Sequence, residues 1–147
     1  MKRILLALIL MIFLLVLSIP FCIGADLYSK YLTVADVEKA TGFKNVTVKN
    51  VAVNLEFYRS DGAKFLEVEF GNASLYATET KNPKYYAPVP GIAEKAAIAL
   101  PQIPYRLALL KGKSCVLIQT FRNIQKRYIL NKDQLIAVAK IVAAKIK

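Results

Sequence analysis

The sequence predicts an α+β domain: an antiparallel sheet of about five to six strands, covered by a short N-terminal helix and a C-terminal helix as an α/β sandwich. Three observations predict it. Stretches of period-two alternation pair across tight turns. Capped helical stretches bracket them at both ends. The 147 residues suffice for one modest core and not comfortably for two.

Residues 1–25 stand apart from that domain. Lys2 and Arg3 precede an unbroken apolar run from Ile4 to Leu17, which Ser18, Pro20 and Gly24 then interrupt. The run is shorter than the roughly 20 residues a membrane span needs. The pattern predicts a signal peptide cleaved after Gly24 or Ala25, with a single exported domain over 26–147. That domain would be secreted, periplasmic or held at the outer face of the membrane. An uncleaved anchor is the alternative, because apolar residues continue to Ile23. Lipid attachment at Cys22 is another, although Phe21 is larger than such processing prefers.

The first helix is read over 34–41. Thr33 is its N-cap, Asp36 its third helical residue and Gly42 its terminator. Val51, Val53, Leu55 and Phe57 then alternate with polar neighbours, which predicts one strand over 51–58. Ser60-Asp61-Gly62 signals a turn, and Leu66, Val68 and Phe70 alternate with Glu67 and Glu69 as a second strand of an antiparallel hairpin. Residues 73–81 read equally as a short helix or a loop. Residues 82–91, with Tyr85 and Tyr86, read as loop, and 94–100 as helix or strand. Lys111-Gly112-Lys113 joins two further strands, 105–110 and 115–121, and 123–128 is a polar connection. Asn131 caps the last helix, with Gln134 as its capping-box partner and Leu130 stapled to Leu135. Leu135, Val138, Ala139, Val142 and Ile146 form its apolar stripe.

Composition excludes several chemistries. The chain has no His, so the Ser-His-Asp triad, His-ligated zinc and the imidazole pH switch are out of reach. Its 6 Gly residues are scattered singly, so no phosphate-binding loop exists. Removal of Cys22 would leave Cys115 alone in an apolar strand, a buried small hydrophobe without a disulfide partner. No cofactor and no metal site is expected. Glu67 and Glu69 share one strand face, and such a pair could bind a cation or act as the acid and base of a hydrolase. A solvated face paired to Lys or Arg explains that spacing as well. Asn45-Val46-Thr47 and Asn72-Ala73-Ser74 match the N-glycosylation pattern at Asn45 and Asn72.

Charge is the most informative feature left. The formal net charge is +11, with 21 Lys+Arg against 10 Asp+Glu. Residues 26–100 balance their charges. Beyond residue 100, Asp133 is the only acid among many cations. Arg106, Lys111, Lys113, Arg122, Lys126 and Arg127 are therefore the candidate surface for a protein or an anionic envelope or membrane component. Nucleic acid is not the partner expected of an exported chain without a nucleic-acid fold signature. Tyr85 and Tyr86, in their Pro-rich loop, are the candidates for a small-molecule site.

The stretch Tyr31-Leu32-Thr33-Val34-Ala35-Asp36-Val37-Glu38-Lys39-Ala40-Thr41-Gly42 resembles the opening helix of small exported α/β-sandwich domains, the PsbP-like domains and similar actinobacterial lipoproteins. Val89-Pro90-Gly91-Ile92-Ala93-Glu94-Lys95-Ala96 stands where these domains carry a glycine- and aspartate-containing segment, with Ala93 and Glu94 replacing the second glycine and the aspartate. The resemblance spans about Lys30 to Ile146. It implies a layered α/β sandwich, a strand over 96–100 and a non-enzymatic role, and it carries over no catalytic residue.

Overall fold

The computed structural model describes residues 27–100 and 105–147. Residues 1–26, with the stretch read as a signal peptide and Cys22, lie outside the described residues. Within them the chain forms an α+β sandwich of three helices and a seven-stranded, wholly antiparallel sheet. Helix α1 is Val34–Thr41. Strands β1 (Thr47–Val51), β2 (Asn54–Tyr58) and β3 (Lys64–Asn72) follow, then helix α2 (Ala73–Glu79). Strands β4 (Tyr86–Pro88), β5 (Lys95–Ala99), β6 (Arg106–Lys111) and β7 (Ser114–Thr120) lead to helix α3 (Lys132–Lys145). The strand order is β1-β2-β3-β7-β6-β5-β4.

Seven strands exceed the five to six expected, for two local reasons. The alternation from Val51 to Phe57 runs unbroken through a tight turn: Ala52 takes φ 53° and reverses the chain. One expected strand is therefore the hairpin β1–β2, and Val51 and Val53 end up exposed at its tip. Tyr86, expected in a loop, lies on β4, which adds an edge strand through Tyr86↔Ala99. The two stretches left open resolve as helix α2 and strand β5.

Caps fix both long-sequence helices. The Thr33 side chain accepts from the Asp36 amide while Asp36 accepts from the Thr33 amide, and Gly42 closes the helix at φ 80°, where a Cβ would be strained. Asn131 and Gln134 form the same reciprocal box at α3. Each such cap contributes roughly 1 kcal/mol.

The core lies between the sheet and the layer made by α1 and α3. Leu55, Phe57, Leu66, Val68, Leu107, Leu109, Val116 and Ile118 project from the sheet. Val37, Leu135, Val138, Ala139 and Val142 meet them from the helices. A bulge between Phe57 and Tyr58 places both Phe65 and Leu66 in this core, and Phe65 meets the Phe43 ring edge-on at 4.9 Å. Thr120 is the polar tie of this layer: buried, it donates to the Phe65 carbonyl (3.0 Å) and accepts from the Leu130 amide (3.1 Å). On the opposite face α2 lies over β6 and β7, where Leu75 and Tyr76 pack on Ala108, Cys115 and Leu117. It approaches Gly71 closely: a Cβ there would stand 2.5 Å from a Leu75 methyl, which would have to turn aside.

Candidate functional site

The antiparallel sheet gives the molecule two ends, and the basic residues divide between them. At one end lie the β6–β7 turn, the end of α3 and the segment that leads in from residue 27. Lys111 at the end of β6 donates to the Ala143 carbonyl at 2.9 Å, which places the last turn of α3 here. Lys145 pairs with Asp36 in the first turn of α1 at 2.6 Å. Lys30, Tyr31, Ser114, Lys145 and Lys147 line one shallow recess. Tyr28 stacks on Phe70 with ring centroids 4.5 Å apart, and the Phe70 amide donates to the Val53 carbonyl at 3.0 Å. The tip of the β1–β2 hairpin is thereby fixed beside the incoming chain.

Lys30, Lys111, Lys113, Lys145 and Lys147 thus share one pole, with Leu27, Val51 and Val53 exposed at the same end (60%, 48% and 43%). Two acids reach this pole among the described residues: Glu94 accepts from the Gly112 amide at 2.9 Å between Lys111 and Lys113, and Asp36 is ion-paired to Lys145. Burial raises the Asp36 pKa, but hydrogen bonds from Lys145 and Thr33 outweigh that and hold it below the ordinary 3.8. The last carbonyls of α3 favour the cations gathered there, which is why Lys111 finds Ala143.

The other end carries Arg122, Lys126 and Arg127 on the loop between β7 and α3. Three hydrogen bonds close it. The Asn123 amide donates to the Arg127 carbonyl (2.8 Å), the Lys126 amide to the Asn123 carbonyl (2.9 Å) and the Arg127 amide to the Asn123 side chain (3.0 Å). The Arg122 guanidinium lies 4.6 Å over the Tyr128 ring and donates to its hydroxyl at 3.0 Å. Tyr128 in turn packs against Tyr105 at 4.9 Å. At the crown of this loop Ile124 is 95% exposed. Seven residues of β7 separate the poles, about 20–25 Å at strand rise. Five of the six cations read from the sequence as one surface therefore divide between two, because the hairpin sends Lys111 and Lys113 to one end and Arg122, Lys126 and Arg127 to the other.

Arg106 belongs to neither pole. It lies on the open face of the sheet and pairs with Glu79 at 2.8 Å, and the Tyr86 hydroxyl donates to the same carboxylate. Burial, then that bond, pushes the Tyr86 hydroxyl above its ordinary pKa. Tyr86 is buried, whereas Tyr85 is 41% exposed, so the two do not form one lid. A shallow groove of about 430 Å³ near Tyr76, Pro88, Pro90 and Lys95 includes neither of them.

Further across that open face, Lys64 bridges Glu56 (2.9 Å) and Glu67 (2.8 Å). Asn54 donates to Glu67 at 2.9 Å, and Tyr58 donates to Glu56 at 2.5 Å. The bond from Tyr58, then that from Lys64, holds the Glu56 carboxyl below its ordinary value. Glu67 is thus engaged by a cation and an amide, as in the paired-face reading, and Glu69 stands two residues along the same face. Among the described residues no group of three Asp, Glu or Cys side chains could hold a metal ion.

Asn45 and Asn72 are both exposed. Asn72 also caps α2, accepting from the Ser74 and Leu75 amides. Cys115 is buried with its thiol pushed up to about 12, first by burial and then by Glu69 and Glu79. That fits a packed side chain and not a nucleophile.

Sequence reasoning missed Lys30, Lys145 and Lys147 as members of a site, and Leu27, Val51, Val53 and Ile124 as exposed apolar groups. The lysines are far apart in sequence, and only the sheet topology unites them. Ile124 did leave a signal: it is the lone apolar residue within Arg122-Asn123-Ile124-Gln125-Lys126-Arg127. No helix among the described residues is long and apolar enough to cross a membrane. No family model, curated protein or solved structure matches the chain.

Proposed function

We propose that this chain is an exported, non-catalytic binding domain that lies against an anionic membrane surface through its lysine pole. The observation that carries this reading is the gathering of Lys30, Lys113, Lys145 and Lys147, all exposed, around the segment that joins the domain to the apolar N-terminal run. Each lysine near an anionic leaflet contributes about 1 kcal/mol, so Lys30, Lys113 and Lys147 contribute about 3 kcal/mol, with the Lys145 charge offset by Asp36. Exposed Leu27, Val51 and Val53 add apolar contact at the same level. Such binding is reversible and salt-sensitive by itself, and an N-terminal run retained or lipidated would convert it into a fixed orientation.

The absence of His from the whole chain, and the engagement of Glu67 by Lys64 and Asn54, support a non-catalytic role. The PsbP-like resemblance favours the same reading.

Sedimentation of the 26–147 domain with phosphatidylglycerol vesicles tests it. Binding should vanish on phosphatidylcholine vesicles and in high salt. Reversal of three lysines (Lys30→Glu, Lys113→Glu, Lys147→Glu) should weaken it at least about 100-fold, since each loses about 1 kcal/mol. Undiminished binding by that variant would overturn the reading.

A further inference from the structure

We infer that the arginine pole is a docking site for an acidic protein segment carrying an apolar residue, independent of the lysine pole. Two unrelated features converge there. The first is unbalanced charge. Arg59 pairs with Asp61, and Lys64 with Glu56 and Glu67, but no ion pair among the described residues engages Arg122, Lys126 or Arg127. The second is Ile124, whose 95% exposure is enforced by the loop itself. The bonds that close the loop around Asn123, and the Arg122–Tyr128 stack, hold its crown away from the core, and Lys126 takes the left-handed conformation at φ 61°.

Between this loop and the β2–β3 turn runs an open groove of about 400 Å³, with Arg59, Arg122, Ile124 and Ile129 among its walls. Arg59 on one wall is already held by Asp61, so the carboxylates of the peptide would be gripped by Arg122 and by the neighbouring Lys126 and Arg127, while Ile124 and Ile129 offer one apolar contact between them. Because the loop is already ordered, a partner would not have to order it on binding. The site also stands about 20–25 Å from the lysine pole, beyond the roughly 8 Å screening length of physiological salt. Occupation of one pole therefore leaves the other electrostatically free.

The test uses the full chain in neutral phosphatidylcholine nanodiscs, observed by amide chemical shifts. The probe is a short peptide of aspartate and glutamate residues flanking one leucine. Saturating shifts at residues 59–64 and 121–129, with little change at 111–114, are expected below about 1 mM peptide. Ile124→Ser should weaken binding about tenfold, and the leucine-free peptide should be weakened alike. Arg122→Glu with Arg127→Glu should abolish it while the remaining spectrum stays native. No shift up to that concentration would overturn the inference. So would equal shifts at both poles, or binding unchanged by Ile124→Ser, since either reduces the effect to general charge attraction. If phosphatidylglycerol nanodiscs rather than the peptide move residues 121–129, the pole is a second lipid site and the inference fails.

Discussion

At the lysine pole the cations come from separate segments: the incoming chain, the β6–β7 turn and the end of α3. At the arginine pole Arg122, Lys126 and Arg127 sit on one loop that hydrogen-bonds to itself. Ammonium groups on long stems conform to a fluid surface of headgroups and need no fixed spacing. Guanidinium groups on an ordered loop suit a partner with its own fixed geometry. The two poles therefore teach that one basic excess can serve two kinds of recognition, and that net charge per segment does not show how many surfaces carry it.

The comparison breaks completely where the shared core fails. Leu135 is fully buried between α3 and the sheet, and Leu135→Ala should cost about 2–5 kcal/mol. Denaturant unfolding followed at both poles should show a single, equally displaced transition. A smaller and pole-specific effect is expected at Thr120. Replacing it with Val leaves the Phe65 carbonyl and the Leu130 amide without their buried partner, a loss of about 1–3 kcal/mol. Hydrogen exchange should accelerate at residues 121–130 and stay slow at 111–117.

Acid should act at both ends, through Asp36 at the lysine pole and through Glu56 beside the β2–β3 turn. Asp36 has a lowered folded-state pKa, so its contribution is fully present above about pH 3.8 and is lost as the pH falls through the folded value. The group is partly exposed, so solvent screening limits the effect to about 0.5 kcal/mol. Asp36→Asn should flatten the pH dependence of stability below pH 4 by that amount and leave the arginine loop's exchange unchanged. The smallest expected effect concerns Cys115. With its thiol pushed up to about 12 and fully buried, it should resist alkylation at pH 8 in the native state and react once unfolded.

Much of this architecture was legible in the sequence. Thr33, Asp36 and Gly42, and Asn131 with Gln134, carry their helix ends in local chemistry that operates within four residues. Leu66, Val68 and Phe70 announced their buried face by period two. The hairpin at Ala52 was hidden because its flanking valines keep the alternation of a continuous strand, and a non-glycine residue makes the turn. Tyr86 was hidden for a different reason: a three-residue strand held by Ala99 and Glu79 takes its stability from tertiary partners and has no periodicity to read. The basic residues themselves were visible one by one in the sequence. Their grouping was not, because adjacency at a pole depends on which strands pair, and that is a non-local property.

The central claim, that the lysine pole and not the arginine pole meets an anionic membrane, is tested most directly by position. An environment-sensitive dye placed at Val53→Cys or at Ile124→Cys in the 26–147 domain reports the two ends separately, with Cys115 buried and silent. On phosphatidylglycerol vesicles the dye at 53 should move to an apolar environment and return to water in high salt, while the dye at 124 stays in water throughout. A response at 124 with none at 53 would contradict the account.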